Sequence, residues 1–249
     1  MALRWMIGIG FCGALACGAS KGAPAVEGTS PQMKKAALTW GIKPVGASTD
    51  VFLAVTDETG RCTLIFNGEI YNFRKLRGEL ESAGVRFRTN GDTETILQGY
   101  LHWGEGLLDR LEGMYALVLI DRKRNLALAA RDPFGIKPLY LCQRGDRIGL
   151  ASEMRPLFRM VDPQPDETAL AELLTFTWAA GALSNVRGIE RVPGGTLLTI
   201  PLQGGPVARR RFCDVLETLK PDDAITPDEA ERTAERAVET SVRDHLMSD

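Results

Sequence analysis

The stretch "MYALVLIDRKRNLALAARD", Met114–Asp132, contains two apolar runs separated by a charged turn at Arg122–Asn125. Two such runs joined by a short polar turn predict a β-hairpin. The stretch "KPLYLCQRGDRIGLASE" repeats the pattern, with its turn at Arg144–Asp146. Adjacent hairpins with mostly apolar strands predict antiparallel sheets that are covered on both faces, and the helices between them make the class α+β.

Helical patterns lie on both sides of these hairpins. "NFRKLRGELESAG" and "DTETILQGYLHWG" each place apolar residues on one side, and the strand "CTLIFN" precedes them. "DETALAELLTF" predicts a helix and "GGTLLTIP" a short strand, whereas "PLQGGP" and "LKPDDAITP" are typical of linkers. Thr226, Pro227 and Glu229 predict the start of a last helix that runs toward Leu246. The apolar residues are Phe73, Leu76 and Leu80 in the first helix; Ile96, Leu97, Tyr100 and Leu101 in the second; and Leu170, Leu173 and Leu174 in the third.

Composition excludes several classes of protein. The chain has 249 residues, enough for one large domain or one domain with a partial second, and its net charge is −2. That charge gives no electrostatic basis for binding nucleic acid or an anionic membrane. Five cysteines and two histidines favour neither a disulfide framework nor a metal site, and a reducing compartment is the simpler interpretation.

The first twenty residues, "MALRWMIGIGFCGALACGAS", have the early arginine, apolar run and small residues of an export signal. The alternative is a buried first strand between Met6 and Leu15. Because the rest of the chain is typical of a cytosolic protein, we expect a cytoplasmic location. No stretch has the ~20 consecutive apolar residues needed to span a bilayer.

The stretch "FNGE" has polar groups that suit acyl chemistry. At the end of the predicted strand, the Asn67 amide and the Gly68 backbone N–H could both donate to an oxyanion. Glu69 could accept a hydrogen bond from a substrate ammonium or amide. The alternative is a tight turn, because Asn-Gly is a common hairpin signal.

Four longer blocks support the chemical interpretation. "FNGEIYNFRKLRGEL", "FRTNGDTETIL", "LEGMYALVLIDRKRNLALAARDPFGIKPLY" and "ASEMRPL" together resemble the amino-terminal half of glutamine-dependent asparagine synthetases, from about Arg61 to about Ile200. "GIERVPGGTLL", "RRRFCD" and "VRDHLMSD" resemble the connection into the synthetase half of that family.

The resemblance implies a class II glutamine amidotransferase domain of the N-terminal-nucleophile hydrolase type. Its fold would be a four-layer αββα sandwich, with two antiparallel sheets between helices. This domain would occupy residues 1–205, degenerate over 1–60, and residues 206–249 would be a linker and the first helix of a synthetase domain that the chain lacks.

The resemblance also implies the site residues. Asn67 and Gly68 would form the oxyanion hole, and Asn67, Gly68 and Glu69 would hold glutamine. Asp92 would bind the α-ammonium of glutamine, and its position also suits a helix N-cap. The stretch "RDPFGIKPLY" is interpreted as turn architecture without a catalytic role.

The sequence departs from the family at the nucleophile. The family begins Met-Cys-Gly-Ile, and "MIGIGF" places Ile7 where the cysteine is expected. In the family the α-amine of that cysteine can act as the base. Cys12 or Cys17 would have a free α-amine only after cleavage of the chain, so both are weak candidates.

Two further parts of the family pattern are missing. There is no arginine between Arg4 and Arg61, and Lys43 cannot form the bidentate fork with which an arginine holds a carboxylate. The chain also has no phosphate-binding loop of the synthetase type. We therefore expect no cofactor in this chain, and ATP and Mg²⁺ only in a synthetase half.

These observations leave two main hypotheses. The first is the glutaminase portion of an asparagine synthetase, which supplies ammonia for amidation of aspartate and is impaired by the missing cysteine. Its partners would be glutamine and a separate synthetase domain or chain, without nucleic acid or membrane. The second is a non-catalytic docking domain or fragment, as in β-lactam synthetase or lasso-peptide cyclase relatives. An exported lipoprotein is a third, weaker hypothesis.

Overall fold

The computed structural model describes residues 6–8, 54–145, 147–177, 181–220 and 224–246. The strands are β1 Met6–Gly8, β2 Ala54–Thr56, β3 Cys62–Ile70, β4 Gly113–Asp121, β5 Leu126–Arg131, β6 Tyr140–Arg144, β7 Arg147–Ala151, β8 Ile189–Arg191, β9 Thr196–Pro201 and β10 Ala208–Arg211. The α-helices are α1 Phe73–Ser82, α2 Asp92–Trp103, α3 Glu167–Phe176, α4 Val215–Thr218 and α5 Pro227–His245, and 3₁₀ helices span Gly104–Arg110 and Arg155–Arg159.

The strands form two sheets. The larger has the order β10-β9-β5-β4-β3-β2, and all its neighbouring strands are antiparallel. The smaller has the order β1-β7-β6-β8, in which β6 is antiparallel to both its neighbours and β1 runs parallel to β7. The prediction of an α+β protein built on two antiparallel sheets is confirmed, with the β1–β7 pair as the parallel exception.

Apolar side chains divide the molecule into layers. One cluster lies between the larger sheet and the helices, where Leu64 and Leu117 pack with Leu76 of α1 and Ile96 of α2. A second cluster, lined by β3, β4, β6 and β7 residues, fills the space between the two sheets. A third covers the outer face of the smaller sheet and includes Leu157 of a 3₁₀ helix. Each fully buried leucine stabilises the fold by roughly 1.5–3 kcal/mol.

The hairpin predicted for Met114–Asp132 is present. In the β4–β5 pair, Ala116 lies opposite Arg131 at one end and Asp121 lies opposite Leu126 at the other. Asn125 has the positive φ of +55° that the tight turn requires. β6 and β7 form the second hairpin, closed by the Arg144–Arg147 pair.

The two helices after β3 also match their apolar patterns. In α1, Leu76 and Leu80 are buried and Phe73 packs against the helix-side cluster. In α2, Ile96, Leu97 and Tyr100 are buried and Leu101 is partly buried. The helix predicted to start at Thr226 is α5, whose Thr226–Glu229 capping box is formed.

Two predictions about the second half need correction. "PLQGGP" is not a linker, because it connects β9 to β10. These two strands pair, with Thr196 opposite Arg211 and Thr199 opposite Ala208. The domain boundary predicted at residues 205/206 therefore falls inside a hairpin, and the larger sheet continues to Arg211. Gly204 and Gly205 have positive φ, so the glycines that suggested a linker instead serve a tight connection.

A buried polar cluster joins β3, β4 and α2. The Asp121 carboxylate is fully buried and accepts hydrogen bonds from Arg61 (Nη2, 2.7 Å) and the Tyr100 hydroxyl (3.1 Å), and from the N–H groups of Lys123 and Arg124. Burial alone would raise the pKa of Asp121. The hydrogen bonds from Arg61, Arg124 and Tyr100 outweigh burial and lower that pKa to about 2.

The apolar side chains are less completely buried toward the carboxyl terminus. Leu174 of α3 is 86 % exposed, and every described side chain of α5 except Asp244 is exposed. No helix among the described residues is both long enough and apolar enough to cross a membrane.

Candidate functional site

The predicted site segment, residues 67–69, lies inside β3 and not at its end. Asn67, Gly68 and Glu69 pair with Ala116, Tyr115 and Met114 of β4. The predicted end of the strand at Asn67 is thus three residues too early, and the alternative of a tight Asn-Gly turn is wrong. Nine consecutive cross-strand pairs between β3 and β4 override the local turn preference of Asn-Gly.

The Asn67 side chain bridges the two sheets. Its amide Nδ2 donates a hydrogen bond to the hydroxyl Oγ of Ser152, 3.1 Å away, and Ser152 directly follows β7 in the smaller sheet. Ile65, two residues earlier and therefore on the same face of β3, belongs to the cluster between the sheets. Asn67 thus presents its amide to the space between the sheets. This position could not be predicted from the neighbouring residues in the sequence.

The backbone N–H of Gly68 is directed away from β4. Tyr71 N–H donates to the Glu112 carbonyl (2.7 Å) and Asp132 N–H to the Tyr115 carbonyl (2.8 Å). In an antiparallel ladder these bonds alternate along each strand. The N–H of Gly68, like that of Ile70, therefore faces the opposite edge of β3.

Gly68 also needs to be a glycine. Its φ is +156°, and a Cβ at this position would lie 2.1 Å from the carbonyl oxygen of Met114. Without a side chain at position 68, β3 and β4 can approach closely.

Asp92 lies beside the same edge of β3. Its carboxylate Oδ2 accepts a hydrogen bond from Ile70 N–H, 3.2 Å away, and its Oδ1 accepts one from the Thr93 hydroxyl. The prediction that Asp92 is a helix N-cap is wrong: Gly91 is the N-cap, and Asp92 is the first residue of α2. The carboxylate therefore reaches across to the strand instead of capping its own helix.

Glu69 completes the segment. It alternates with Gly68 and lies on the same face of β3 as Asn67, half-buried. The structure therefore gathers the four predicted residues around the last four positions of β3. They supply an amide donor, a main-chain N–H and two carboxylates, which can stabilise an oxyanion and bind an ammonium group.

The strand that contains Ile7 lies next to this site. β1 pairs with β7 so that Ile7 lies opposite Leu150 and Gly8 opposite Ala151, the residue before Ser152. The main chain of β1 thus passes beside the hydrogen-bond partner of Asn67. The other candidates, Cys12, Cys17 and Lys43, lie outside the described residues, as does most of the predicted export signal.

Two of the three described cysteines are poorly suited to act as nucleophiles. Cys62 and Cys142 are fully buried free thiols. Burial, with smaller effects from neighbouring charges, raises the pKa of Cys62 to about 12, and burial raises the pKa of Cys142. Since the thiolate is the reactive form, both are held in an inert state. The third, Cys213, is half-buried.

The loop "RDPFGIKPLY" is held by its first two residues. The buried Arg131 guanidinium donates to the carbonyls of Gly135 (2.6 Å), Lys137 (2.7 Å) and Val192 (2.5 Å). The fully buried Asp132 carboxylate accepts from the N–H groups of four residues. These bonds support the interpretation of the loop as turn architecture.

The role of Ser152 could not be inferred from the sequence. It lies in the quoted block "ASEMRPL", and nothing in its local sequence separates it from a surface serine, because its partner is 85 residues away along the chain. The described residues contain no group of three or more His, Cys, Asp or Glu side chains that could hold a metal ion.

Comparison with known proteins gives a family match. Residues 53–212 match the family model of the glutamine amidotransferase domain. The chain is 33 % identical over 198 residues to asparagine synthetase [glutamine-hydrolyzing] 1 of Bacillus subtilis, covering 79 % of this chain and 30 % of the relative. It is 40 % identical over 159 residues to a putative asparagine synthetase [glutamine-hydrolyzing] of Mycobacterium bovis, covering 61 % of this chain and 24 % of the relative.

The chain therefore spans less than a third of the length of these relatives. Among solved structures, glutamine phosphoribosylpyrophosphate amidotransferase of B. subtilis aligns with 65 % of this chain and 31 % of its own, at 22 % identity and a TM-score of 0.44.

Proposed function

The chain belongs to the glutamine amidotransferase domain family, and from this premise we propose that it forms the glutamine site of an asparagine synthetase. The observation that carries the proposal is the Asn67–Ser152 hydrogen bond. It holds the expected oxyanion donor in the space between the sheets, beside the strand where the family has its nucleophile.

The chemistry would proceed through a thioester. A thiolate attacks the carboxamide carbon of glutamine, the carbon–nitrogen bond breaks and ammonia leaves; water then hydrolyses the thioester to glutamate. Asn67 Nδ2 and Gly68 N–H would donate to the oxyanion at both tetrahedral stages. Glu69 and Asp92 would bind the α-ammonium of glutamine and so fix the orientation of its carboxamide.

We infer that this polypeptide has no nucleophile at the expected position, which Ile7 occupies. The side chain of isoleucine has no lone pair, so Ile7 cannot attack the carboxamide. We therefore propose that the chain binds glutamine but hydrolyses it slowly or not at all. Ammonia would pass to a synthetase domain or chain that activates aspartate with ATP and Mg²⁺, and the location would be cytoplasmic.

The test combines binding with turnover. Calorimetry should detect glutamine binding by the parent chain, and a coupled ammonia assay should show release near background. A variant that begins at Met6 and carries Ile7→Cys should gain ammonia release after removal of Met6, because the introduced cysteine then has a free α-amine. Absence of glutamine binding by both chains would overturn the proposal.

A second control addresses processing of the amino terminus. Rapid ammonia release by the parent that is abolished by Cys12→Ala or Cys17→Ala would show that one of these cysteines is the nucleophile. The slow-turnover part of the proposal would then be wrong, although glutamine binding would stand. Mass spectrometry of the intact amino terminus reports directly on processing.

The presence of Ile7 in β1 also favours a second candidate function, a docking domain that keeps the fold without its chemistry. Such a domain would bind a synthetase chain but not glutamine. The binding measurement separates the two functions without requiring turnover.

A further inference from the structure

The proposed glutamine site is divided between the two sheets. Gly68 and Glu69 belong to β3 of the larger sheet. The Asp92 carboxylate accepts a hydrogen bond from Ile70 N–H of the same strand, 3.2 Å away. Position 7, where the family has its nucleophile, lies in β1 of the smaller sheet. The groups that would bind glutamine and the position that would attack it are therefore held by different sheets.

Apolar packing aligns two sheets less strictly than a hydrogen bond does. The space between the sheets is filled by aliphatic side chains such as those of Ile65, Val118 and Leu150. Hydrophobic attraction between such side chains has no preferred direction. A hydrogen bond, in contrast, weakens steeply when its angle changes. A hydrogen bond between the sheets can therefore set their relative position near the site.

Ser152 makes a bond of this kind. Its hydroxyl Oγ accepts from Asn67 Nδ2 at 3.1 Å and so joins the end of β7 to β3. Ser152 is only 4 % exposed, and it borders a small cavity whose other lining residues are all apolar. In apolar surroundings a hydrogen bond is stronger than in water, and breaking it is costly. The bond is thus well suited to hold the two sheets in alignment.

Ser152 also lies next to the strand that contains position 7. β1 pairs in parallel with β7, so that Ile7 lies opposite Leu150 and Gly8 opposite Ala151. Ser152 follows Ala151 directly, at the end of β7. Through β7, one hydroxyl therefore connects the strand of the expected nucleophile with the amide that is expected to stabilise the oxyanion.

We propose that Ser152 is a positioning residue, which acts through Asn67 and holds its amide in line with position 7 of β1. The inference rests on the proposed function, because it requires attack from position 7 and an oxyanion at Asn67. The amide of Asn67 carries two hydrogens. The bond to Ser152 uses one of them and leaves the other for the oxyanion. A misplacement of about 1 Å between reacting groups can lower a rate ~10²-fold, so this alignment affects the chemical step.

Steady-state kinetics test this role in the chain that begins at Met6 and carries Ile7→Cys. We expect Ser152→Ala to lower kcat about tenfold, less than Asn67→Ala does, because the donor is kept but is no longer held in place. KM should change little, since the groups that would bind glutamine all lie on the side of β3. Ser152→Thr keeps the hydroxyl and should restore most of kcat.

Ser184→Ala is the matched control. Ser184 is likewise buried, at 6 % exposure, and its hydroxyl donates to the carbonyl of Ile189 at 2.6 Å. That bond ties a loop to β8 of the smaller sheet and does not reach the larger one. Ser184→Ala should lower the urea midpoint, as Ser152→Ala does, but leave kcat unchanged. An equal loss of kcat in the two variants, or an unchanged kcat in Ser152→Ala, would overturn the inference.

A measurement without turnover separates this inference from the proposed function. By NMR of the parent chain, the side-chain amide protons of Asn67 should exchange with water more slowly than those of the exposed Asn90. Ser152→Ala should speed the exchange at Asn67 about five- to tenfold, the change expected from the loss of one hydrogen bond. Ser184→Ala should not change it.

The remaining outcomes distinguish the two proposals. An unprotected Asn67 amide in the parent overturns the inference, whether or not glutamine binds. Glutamine binding without ammonia release by the Ile7→Cys chain also overturns it, because position 7 would then not be aligned for attack. An Asn67 amide whose protection depends on Ser152, with no glutamine binding by the parent, upholds the alignment by Ser152 and overturns the proposed function.

Discussion

At position 67 one side-chain amide has two tasks. Asn67 donates to Ser152 and so links the two sheets, and in the proposed reaction the same amide would donate to the oxyanion. Because these tasks use the same Nδ2 group, a substitution at position 67 affects both stability and chemistry. Its partner Ser152 offers a way to separate them.

We predict that Asn67→Ala, made in the chain that begins at Met6 and carries Ile7→Cys, lowers kcat by ~10²–10³-fold, the loss typical of one oxyanion donor. Stability should fall by about 1 kcal/mol through the lost hydrogen bond. Ammonia release and urea unfolding measure the two effects. The control Ser152→Ala removes the partner but keeps the donor; an equal loss of kcat in that control would contradict the oxyanion role of Asn67.

Two residues show what the sequence could and could not predict at this scale. Asn67 and Asp92 were placed by family resemblance, and the structure puts them at one end of β3. The N-cap alternative for Asp92 failed because Gly91 occupies that position. Helix-capping preferences concern residues within about one turn of the helix. The hydrogen bond from Ile70 N–H to the Asp92 carboxylate instead joins segments 22 residues apart, so these preferences could not predict it.

At the scale of elements, Asp121 joins a strand, a helix and a turn. Its carboxylate is fully buried, and hydrogen bonds from Arg61 and Tyr100 contribute to lowering its pKa to about 2, against an ordinary value of 3.8. A lowered pKa in the folded state means that the ionised carboxylate stabilises the fold. That contribution is complete above pH ~4 and is lost as the pH falls from about 4 through 2.

We predict that the parent chain loses about 2 kcal/mol of unfolding free energy from Asp121 over this range of pH. Asp121→Asn should be less stable than the parent at pH 7, and the difference should narrow as the pH falls toward 2. Urea unfolding at several pH values measures this, with the exposed Asp109→Asn as the control. A difference that stays constant with pH would show that the ionisation of Asp121 does not stabilise the fold.

The sequence predicted the hairpins better than the connections. The β4–β5 hairpin follows from two apolar runs and a polar turn, all of which are local. The β9–β10 hairpin was missed because β10 is the charged run Ala208–Arg211, with four exposed residues, which has no apolar alternation. Its pairing depends on the edge of a sheet that already exists, and that edge cannot be seen in the segment itself.

At the scale of the whole molecule, we expect α5 to contribute little to the stability of the sandwich, because all its described side chains other than Asp244 are exposed. The described contact of its last turn with the domain is the Tyr71–His245 pair. We predict that a chain limited to residues 1–220 unfolds cooperatively, with a loss of no more than about 1–2 kcal/mol. Urea unfolding followed by tryptophan fluorescence measures this loss.

Loss of cooperative unfolding would instead show that α5 is an integral part of the domain. The control is the full chain carrying Thr226→Ala, which loses the α5 capping box and retains the Tyr71 contact.

The overall architecture was predictable because it rests on repeated local patterns and on a family resemblance that covers most of the sandwich. The boundary at residues 205/206 was not predictable, because glycine and proline serve linkers and tight turns equally well. The family match to residues 53–212 and the end of β10 at Arg211 agree with each other.

β1 joins its sheet through main-chain pairing with β7. In this pairing Met6 lies opposite Gly149 and Gly8 lies opposite Ala151. Peptide groups make this pairing, and every amino acid except proline supplies the same peptide groups. A change of side chain at position 7 can therefore leave the sheet in register. The pairing of β1 therefore does not depend on a reactive side chain at position 7, so similarity of fold alone does not show whether a related chain hydrolyses glutamine.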